Sequence, residues 1–487
     1  QTDSSSPLGF QLVTRPRSTR KRSPASPTQQ RQVSLWGKDT VVIERMSQEG
    51  RGIANRQGKI VFVSGALTGE QVRVQCTAVK RDFDTADMIM LLPDSAPSAL
   101  RVLPQCRVYA ECGGCTLQHW SPAAQQRHKQ EALLAMLLPI APGLILAPPI
   151  ISCSSGFRHR IRLLVTRNTD KTYSLGFRQR GSHDAVSLQH CVVANAAVNT
   201  LLQVLPHILF AAPELQGLRE IEIDADSDNQ LGLCFYFAAH PGEKILSALR
   251  TAVLSDSVIA MRVRLTARKK SRSDALYDDG GEQLRQLQEL YEEGELTLRL
   301  QPIIEDDSIE IEELQLAYLP GDFTQTHWSV NAALVSLALN WLKPGSDEIA
   351  LDLFSGIGNF SLPFARRTKT VHAIEGDSDM VLRVEGNAQR NGIENINATM
   401  LNLMTDTVTL PKADIAIVDP PRAGAKSVCA TLARSKIKRL VYISCHPATL
   451  MRDARVLCGA GFQLTKAAAV DMFPHSGHSE AIVLFER

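Results

Sequence analysis

Leu351-Asp-Leu-Phe-Ser-Gly-Ile-Gly-Asn-Phe360 is an apolar run that breaks on two glycines and then resumes in Ser361-Leu-Pro-Phe364. The pattern predicts a strand turning sharply into a helix, with Gly356 and Gly358 letting the backbone approach a ligand at the strand's carboxyl end. A second strand is expected over Thr370–Glu375. It ends on an acid about 20 positions after the glycine turn, the separation that suits ribose hydroxyls. Further strands are expected over Ile415–Asp419, leading into Pro420-Pro421-Arg422, and over Leu440–Ser444, with helices between and two terminal strands after. This alternation over residues 321–487 predicts an α/β domain built on a doubly wound, mostly parallel sheet.

A glycine turn followed by a strand-end acid is shared with dinucleotide-binding enzymes, but GxGxxG is missing here. D-x-F-x-G-x-G from Asp352, the strand-end Glu375 and the later Asp419-Pro-Pro together resemble the Rossmann-like class I methyltransferases, which use S-adenosylmethionine. Tyr442-Ile-Ser-Cys-His-Pro-Ala-Thr-Leu450 puts Cys445 at the end of a strand on the same sheet edge. Carbon 5 of uracil is too poor a nucleophile to attack a methyl sulfonium directly. A thiolate that adds to C6 creates an enolate whose C5 can do so. The C5 proton must then leave before the thiolate can depart. Met472-Phe-Pro-His-Ser-Gly-His-Ser-Glu480 supplies a carboxylate just before the last strand, which makes Glu480 the candidate general base and Cys445 the candidate nucleophile.

Asp322-Phe-Thr-Gln325, the glycine-turn segment, D-P-P-R, S-C-x-P-A-T-L and M-F-P-H-x-x-H-x-E together resemble the RNA uracil-C5 methyltransferase family over roughly residues 33–487. That resemblance implies cofactor contacts at Gln325, Phe354, Asn359, Glu375, Asn402 and Asp419, and the nucleophile at Cys445. Two positions depart from the family's usual F-x-Q-V-N and S-C-N-P: His327 and His446 stand where asparagines are usual. An imidazole must then remake the amide's hydrogen bonds with one donor and one acceptor. Ser355 also stands where the family often has cysteine, a change expected to matter little.

Upstream, Val41–Ile43, Ile60–Val63, Val72–Val74 and Met88–Leu92 are short β-rich runs separated by glycines, predicting a small barrel over residues 33–94. Glu49-Gly-Arg-Gly-Ile-Ala and Val63-Ser-Gly-Ala-Leu-Thr-Gly-Glu70 resemble the TRAM domain, an OB-like module that binds RNA. A barrel that only packs against its neighbour is the blander alternative. Residues 95–320 are expected to form a central α+β domain. Its strands are expected near Ile161–Val165, Ile221–Ile223, Leu231–Phe237 and Ile259–Leu265, and its helices near Gln125–Leu138 and Val198–Phe210. A basic run (Arg262, Arg264, Arg268, Lys269, Lys270, Arg272) is either a solvated face or an RNA contact. The acidic run after it, through Glu313, is expected to be solvated.

Cys106-x5-Cys112-Gly-Gly-Cys115 is a compact set of three thiols around a glycine turn, and three close ligands with one remote suit an iron–sulfur cluster. Zinc would more often show paired C-x2-C spacings. The family resemblance implies Cys191 as the fourth ligand of a [4Fe–4S] cluster, with Cys153 the other candidate. Radical enzymes that pair a TRAM domain with such a cluster use C-x3-C-x2-C, a spacing this chain lacks. Barrel and cluster together point to family members that modify a uridine of large-subunit (23S) ribosomal RNA. A tRNA-directed relative would usually lack both, and a catalytically degenerate RNA-binding protein would not need Cys445, Asp419 and Glu480.

The 487 residues carry a net charge of +2, but residues 1–32 hold six Lys/Arg against Asp3, or +5, leaving about −3 for the rest. The body is therefore not broadly basic, and RNA must be met by a local patch after a disordered basic tail. Ten cysteines are too sparse for a disulfide-built scaffold. With no apolar run of membrane-spanning length and no secretory core at the N-terminus, the expectation is a cytoplasmic monomer with no obligate protein partner.

Overall fold

The computed structural model describes residues 35–182, 184–211, 215–266, 276–277, 283–284, 287–305 and 311–487. The basic tail, the 267–275 part of the basic run and the 306–310 part of the acidic run lie outside these residues.

Residues 38–91 form a six-stranded sheet curled around its own core. The strand order is Lys38–Val42, Gln71–Val79, Phe83–Leu91, Lys59–Ser64, Gly52–Arg56 and Arg45–Met46. Strict alternation fills it: Val61 and Val63, like Val72 and Val74, point inward and are fully buried. The strand Gly52–Arg56 was not anticipated. Its sequence, Gly-Ile-Ala-Asn-Arg, has little β propensity and is held by pairing with Lys59–Ser64.

A second sheet has seven strands: Ala185–Ser187, Tyr173–Arg178, Arg160–Arg167, Leu218–Ala225, Leu231–Phe237, Val258–Thr266 and Leu287–Glu293. Leu231–Phe237 and Val258–Thr266 run parallel, joined through the helix Glu243–Val253. That helix and Ala196–Ala211 bury their apolar faces in one cluster with the sheet.

The third sheet follows the order Ile396–Met400, Thr370–Glu375, Ile349–Leu353, Ile415–Val418, Arg439–Ser444, Glu480–Glu486, Gln463–Val470 and Ile145–Leu146. The first five are mutually parallel and Glu480–Glu486 is antiparallel to its neighbours. This is the expected doubly wound sheet, with two differences in its borders. Ile145–Leu146 adds an edge strand from the central segment, and the helix Pro122–Leu137 sends Leu133 and Leu137 into the same apolar cluster. The hairpin Leu296–Leu300/Leu314–Tyr318 also shares its core with the helix Trp328–Leu342. By packing, parts of the stretch read as a central domain therefore belong to the C-terminal body, because their apolar faces find their cover there.

Arg262 and Arg264 are not a solvated or RNA-contacting face. Arg262 is buried, donating from Nη1 to Asp322 Oδ1 at 2.5 Å and from Nε to Glu289 at 2.6 Å. Arg264 donates to Gly321 O and to Glu289. The basic strand faces acids of adjoining elements rather than solvent, so its charges are spent inside the molecule.

Candidate active site

The glycine turn has the predicted shape. Phe354 (φ +66°), Gly356 (+54°) and Gly358 (+93°) all lie in the left-handed region. A Cβ on Gly358 would come within 2.4 Å of the buried Leu362 side chain, so only glycine fits there. Phe354 and Ser355 donate their N–H groups to Ile374 O, which ties the turn to the neighbouring strand. Gly356 N–H donates to Glu375 Oε2 at 2.9 Å, bringing the glycine turn and the strand-end acid into contact.

The other predicted cofactor residues gather at the same carboxyl edge. Gln325 Nε2 donates to Asp419 Oδ2 at 3.4 Å, and Asp419 N–H reaches Leu353 O. The Asn359 amide exchanges two hydrogen bonds with the buried Asn331 amide, at 2.8 and 2.9 Å, which fixes its rotamer. Asn402 is exposed and accepts from Met404 N–H, one residue after Leu401 N–H donates to Glu375 O.

Asp352 was not foreseen as special. It is fully buried, accepts from Ser361 Oγ at 2.5 Å, and is pushed up to about 7 by burial and by the charge of Glu375. The signal was available: an acid inside the otherwise apolar strand Ile-Ala-Leu-Asp-Leu.

Cys445 is half-buried and follows the strand Arg439–Ser444. That strand pairs antiparallel with Glu480–Glu486, and the last pair is Ser444 with Ala481. Cys445 is the residue after Ser444 and Glu480 the residue before Ala481, so both adjoin this last pair. Nucleophile and candidate base therefore sit at neighbouring ends of two paired strands. Glu480 is buried at 6% exposure, which keeps its carboxyl away from bulk water.

The two departures from the family pattern are both absorbed. His446 caps the helix Pro447–Gly459, its Nδ1 accepting from Thr449 N–H at 3.4 Å as an asparagine oxygen would. Burial and the nearby Arg422 charge lower its pKa, favouring the neutral ring that this cap needs. His327 stacks on Phe157 at 4.6 Å and hydrogen-bonds Cys153 O through Nε2. A carbonyl can only accept, so Nε2 carries the proton and Nδ1 accepts from Ser329 Oγ.

Cys445 opens into a cavity of ≈ 600 Å³ whose walls come from all three bodies. The barrel contributes Glu49 and Arg51, the cysteine loop Gly113 and Thr116, and the C-terminal body Arg422 and His478. Arg422 Nη2 hydrogen-bonds His478 Nδ1 at 2.8 Å. The walls also touch each other: a Cβ on Gly477 would lie 2.3 Å from Glu49 O, so the barrel meets this loop backbone to backbone.

Cys106, Cys112, Cys115 and Cys191 come together. Burial pushes up the thiols of Cys112, Cys115 (to about 11) and Cys191, and in each case the charge of other members of the set raises it further. The half-buried guanidinium of Arg158 lies within electrostatic reach of Cys191 and Cys115. Gly113 N–H donates to Arg178 O, and a Cβ on Gly113 would sit 3.0 Å from that oxygen, which accounts for a glycine there. Among the described residues no group of three or more His, Cys, Asp or Glu side chains is placed to hold a single metal ion. Cys153 is exposed and stands outside the set.

Two family models match: one described as tRNA (uracil-5-)-methyltransferase, over residues 292–487, and the TRAM domain, over residues 39–89. The chain is 36% identical to the 23S rRNA (uracil(1939)-C(5))-methyltransferase RlmD of Chromohalobacter salexigens, covering 92% of this chain and 89% of that protein. It is 35% identical to the enzyme of the same name from Shewanella frigidimarina, covering 95% and 98%. Among solved structures it resembles the tRNA (uracil-54, C5)-methyltransferase of Pyrococcus abyssi in complex with S-adenosyl-L-homocysteine. There the TM-score is 0.67 at 21% identity, over 92% of this chain and all of that one, a likeness of fold. With relatives this similar over nearly its whole length, and with Cys445 and Glu480 adjoining the last pair of two adjacent strands, the chain belongs to the RNA uracil-C5 methyltransferase family.

Proposed function

We propose that this protein transfers a methyl group from S-adenosylmethionine to C5 of a uridine in 23S ribosomal RNA, the uridine that its relatives' name numbers 1939. The observation that carries the chemistry is the strand pairing of Ser444 with Ala481, whose chain neighbours Cys445 and Glu480 lie at the edge shared with the glycine turn. Gln325, Phe354, Asn359, Glu375, Asn402 and Asp419 would hold the cofactor, whose sulfonium supplies the methyl group. Glu375, already in contact with Gly356, suits the ribose hydroxyls.

The Cys445 thiolate adds to C6 of the uracil, and C5 then carries the electrons that accept the methyl group. Glu480 takes the C5 proton, the C5–C6 double bond re-forms and the thiolate leaves. The target base must leave its stack to reach Cys445, and a cavity walled partly by the barrel suits RNA presented in an unstacked form. Nothing in this chemistry needs a second macromolecule besides the RNA. Among the described residues no helix is long and apolar enough to cross a membrane.

Cys106, Cys112, Cys115 and Cys191 would hold a [4Fe–4S] cluster. Four cysteines, Cys112 and Cys191 buried and Cys106 and Cys115 half-buried, within electrostatic reach of one another and of the cation of Arg158, suit a bound anionic group. A single tetrahedral ion would need sulfurs about 3.8 Å apart; a cubane seats its ligands more widely. The cluster lies in the chain's own framework, and no step of methyl transfer is assigned to it.

The test is direct. Purified protein is incubated with S-adenosylmethionine and 23S rRNA lacking the modification, and 5-methyluridine is mapped by nucleotide position. Methylation at one uridine supports the proposal. Methylation only of tRNA, or none with cofactor bound, overturns the assigned substrate or activity respectively.

A further inference from the structure

The helix Pro122–Leu137 buries Ala124, Gln125, Lys129, Leu133 and Leu137. Two of those five side chains are polar, one turn apart, and both are almost fully buried: Gln125 at 2% exposure and Lys129 at 3%. Buried amides and ammonium groups are costly unless completely partnered. All the partners found for them in the C-terminal body lie in one place, the loop between the strands Gln463–Val470 and Glu480–Glu486.

Lys129 Nζ donates to Asp471 Oδ1 at 2.7 Å and to Phe473 O at 3.1 Å. Gln125 Oε1 accepts from His475 N–H at 3.0 Å, and Gln125 Nε2 lies 3.3 Å from His475 Nδ1. The two protons of Gln125 Nε2 go to Leu117 O and Trp120 O, its shorter contacts, which joins the loop to the end of the cysteine segment. That segment adds its own bonds: Thr116 and Leu117 N–H both donate to His475 O, and Gly477 N–H donates to Thr116 Oγ1 at 3.2 Å. At the centre of these contacts His475 holds φ at +64°, a left-handed conformation that non-glycine residues keep only when their surroundings impose it.

The loop's two ends are a registered pair, Val470 with Glu480. Whatever holds the loop therefore sets where Glu480 begins. We propose that Gln125 and Lys129 are positioning residues for proton removal from C5: they hold the Asp471–Gly477 loop and through it the carboxylate of Glu480. This rests on Glu480 being the base. Cys445 and its helix cap follow a different strand, whereas the clamped loop leads directly into Glu480, so the clamp's effect is read on the second half of the reaction.

The experiment compares wild type, Gln125→Met, Lys129→Met, Thr116→Val and Glu480→Gln with 23S rRNA and S-adenosylmethionine. For each, kcat, the KM for S-adenosylmethionine and the fraction of protein covalently joined to RNA on denaturing gels are measured. Misplacing a general base by a fraction of an ångström costs about tenfold to a hundredfold in rate. Gln125→Met and Lys129→Met should lose that much in kcat with KM for the cofactor unchanged, while the adduct fraction rises toward that of Glu480→Gln. Should either buried variant fail to fold, Thr116→Val, which removes one bond from an exposed residue, should still show a smaller fall in kcat with a rise in adduct. If Glu480→Gln itself traps no adduct, the assignment of the base fails and takes the clamp with it. If Glu480→Gln traps adduct while the clamp variants keep wild-type kcat, or lose kcat with no adduct, the clamp alone is overturned.

Discussion

Arg262 Nη1 and Asp322 Oδ1 lie 2.5 Å apart with their side chains 1% and 0% exposed, and this ion pair joins the seven-stranded sheet to the C-terminal body. Asp322 Oδ2 also takes Arg383 Nε at 3.1 Å and Leu319 N–H at 2.9 Å. Three residues later Gln325 reaches Asp419, so the acid fixes the segment that arrives at the cofactor edge.

Replacing Asp322 by Asn should therefore remove the buried one of Arg262's two close carboxylate partners, leaving the more exposed Glu289. Removing one partner of a buried pair costs about 3–5 kcal/mol, which denaturant unfolding would measure. Because the same segment carries Gln325, the KM for S-adenosylmethionine should rise with it.

Cys445→Ala should abolish turnover and leave cofactor affinity within about twofold of wild type, because the thiol meets the base rather than the sulfonium. Calorimetry with S-adenosylhomocysteine and a methyl-transfer assay read the two quantities separately. Residual turnover near the wild-type rate would remove Cys445 from the chemistry.

Purified without oxygen, the protein should carry about four irons per chain. Cys106→Ser, Cys112→Ser, Cys115→Ser and Cys191→Ser should each bleach it, and Cys153→Ser should not. Stoichiometric zinc without iron would replace the cluster with another kind of site. Loss of colour in Cys153→Ser alone would reassign the fourth ligand.

His159 is stacked on Trp328 at 3.5 Å, and burial, followed by the nearby His327, lowers its pKa to about 4. An unfolded histidine titrates near 6.5, so between those values the unfolded chain binds the extra proton. The stabilisation is complete above about pH 6.5 and is lost as the pH falls toward 4. Each pKa unit corresponds to about 1.4 kcal/mol, and the ring's partial exposure reduces the total to about 2 kcal/mol. His159→Phe should flatten the acid limb of a Tm–pH profile, leaving the part due to His119, which burial likewise lowers to about 4.

The parallel sheet was legible because its strands are continuous apolar runs broken by glycine or ended by an acid; Thr370–Glu375 has the limits expected of it. Leu231–Phe237 was legible for the same reason. Ile396–Met400 was not: it is an edge strand with three of its five residues exposed and none buried, and Ile-Asn-Ala-Thr-Met has no clean apolar alternation. The helix Pro122–Leu137 was placed to within three residues, but its function was hidden, since Gln125 and Lys129 occupy positions where an apolar stripe is expected. Their reason is more than 300 residues away, and local periodicity carries no trace of such a partner. Cys445 and Glu480 were each readable from their motifs; that they adjoin the paired Ser444 and Ala481 follows only from strand register.

The backbone contact between Gly477 and Glu49 bears on how such a molecule can be taken apart. A barrel that met the rest only through a tether could be cut away or exchanged, and the remainder would simply bind RNA less well. Here removing residues 35–94 uncovers a surface of the very loop that leads into Glu480, so a truncated enzyme should be slow even on a free uridine oligonucleotide that never needed the barrel. The module that matches the TRAM family is also a wall of the Cys445 cavity, and modularity of sequence does not carry over into modularity of structure.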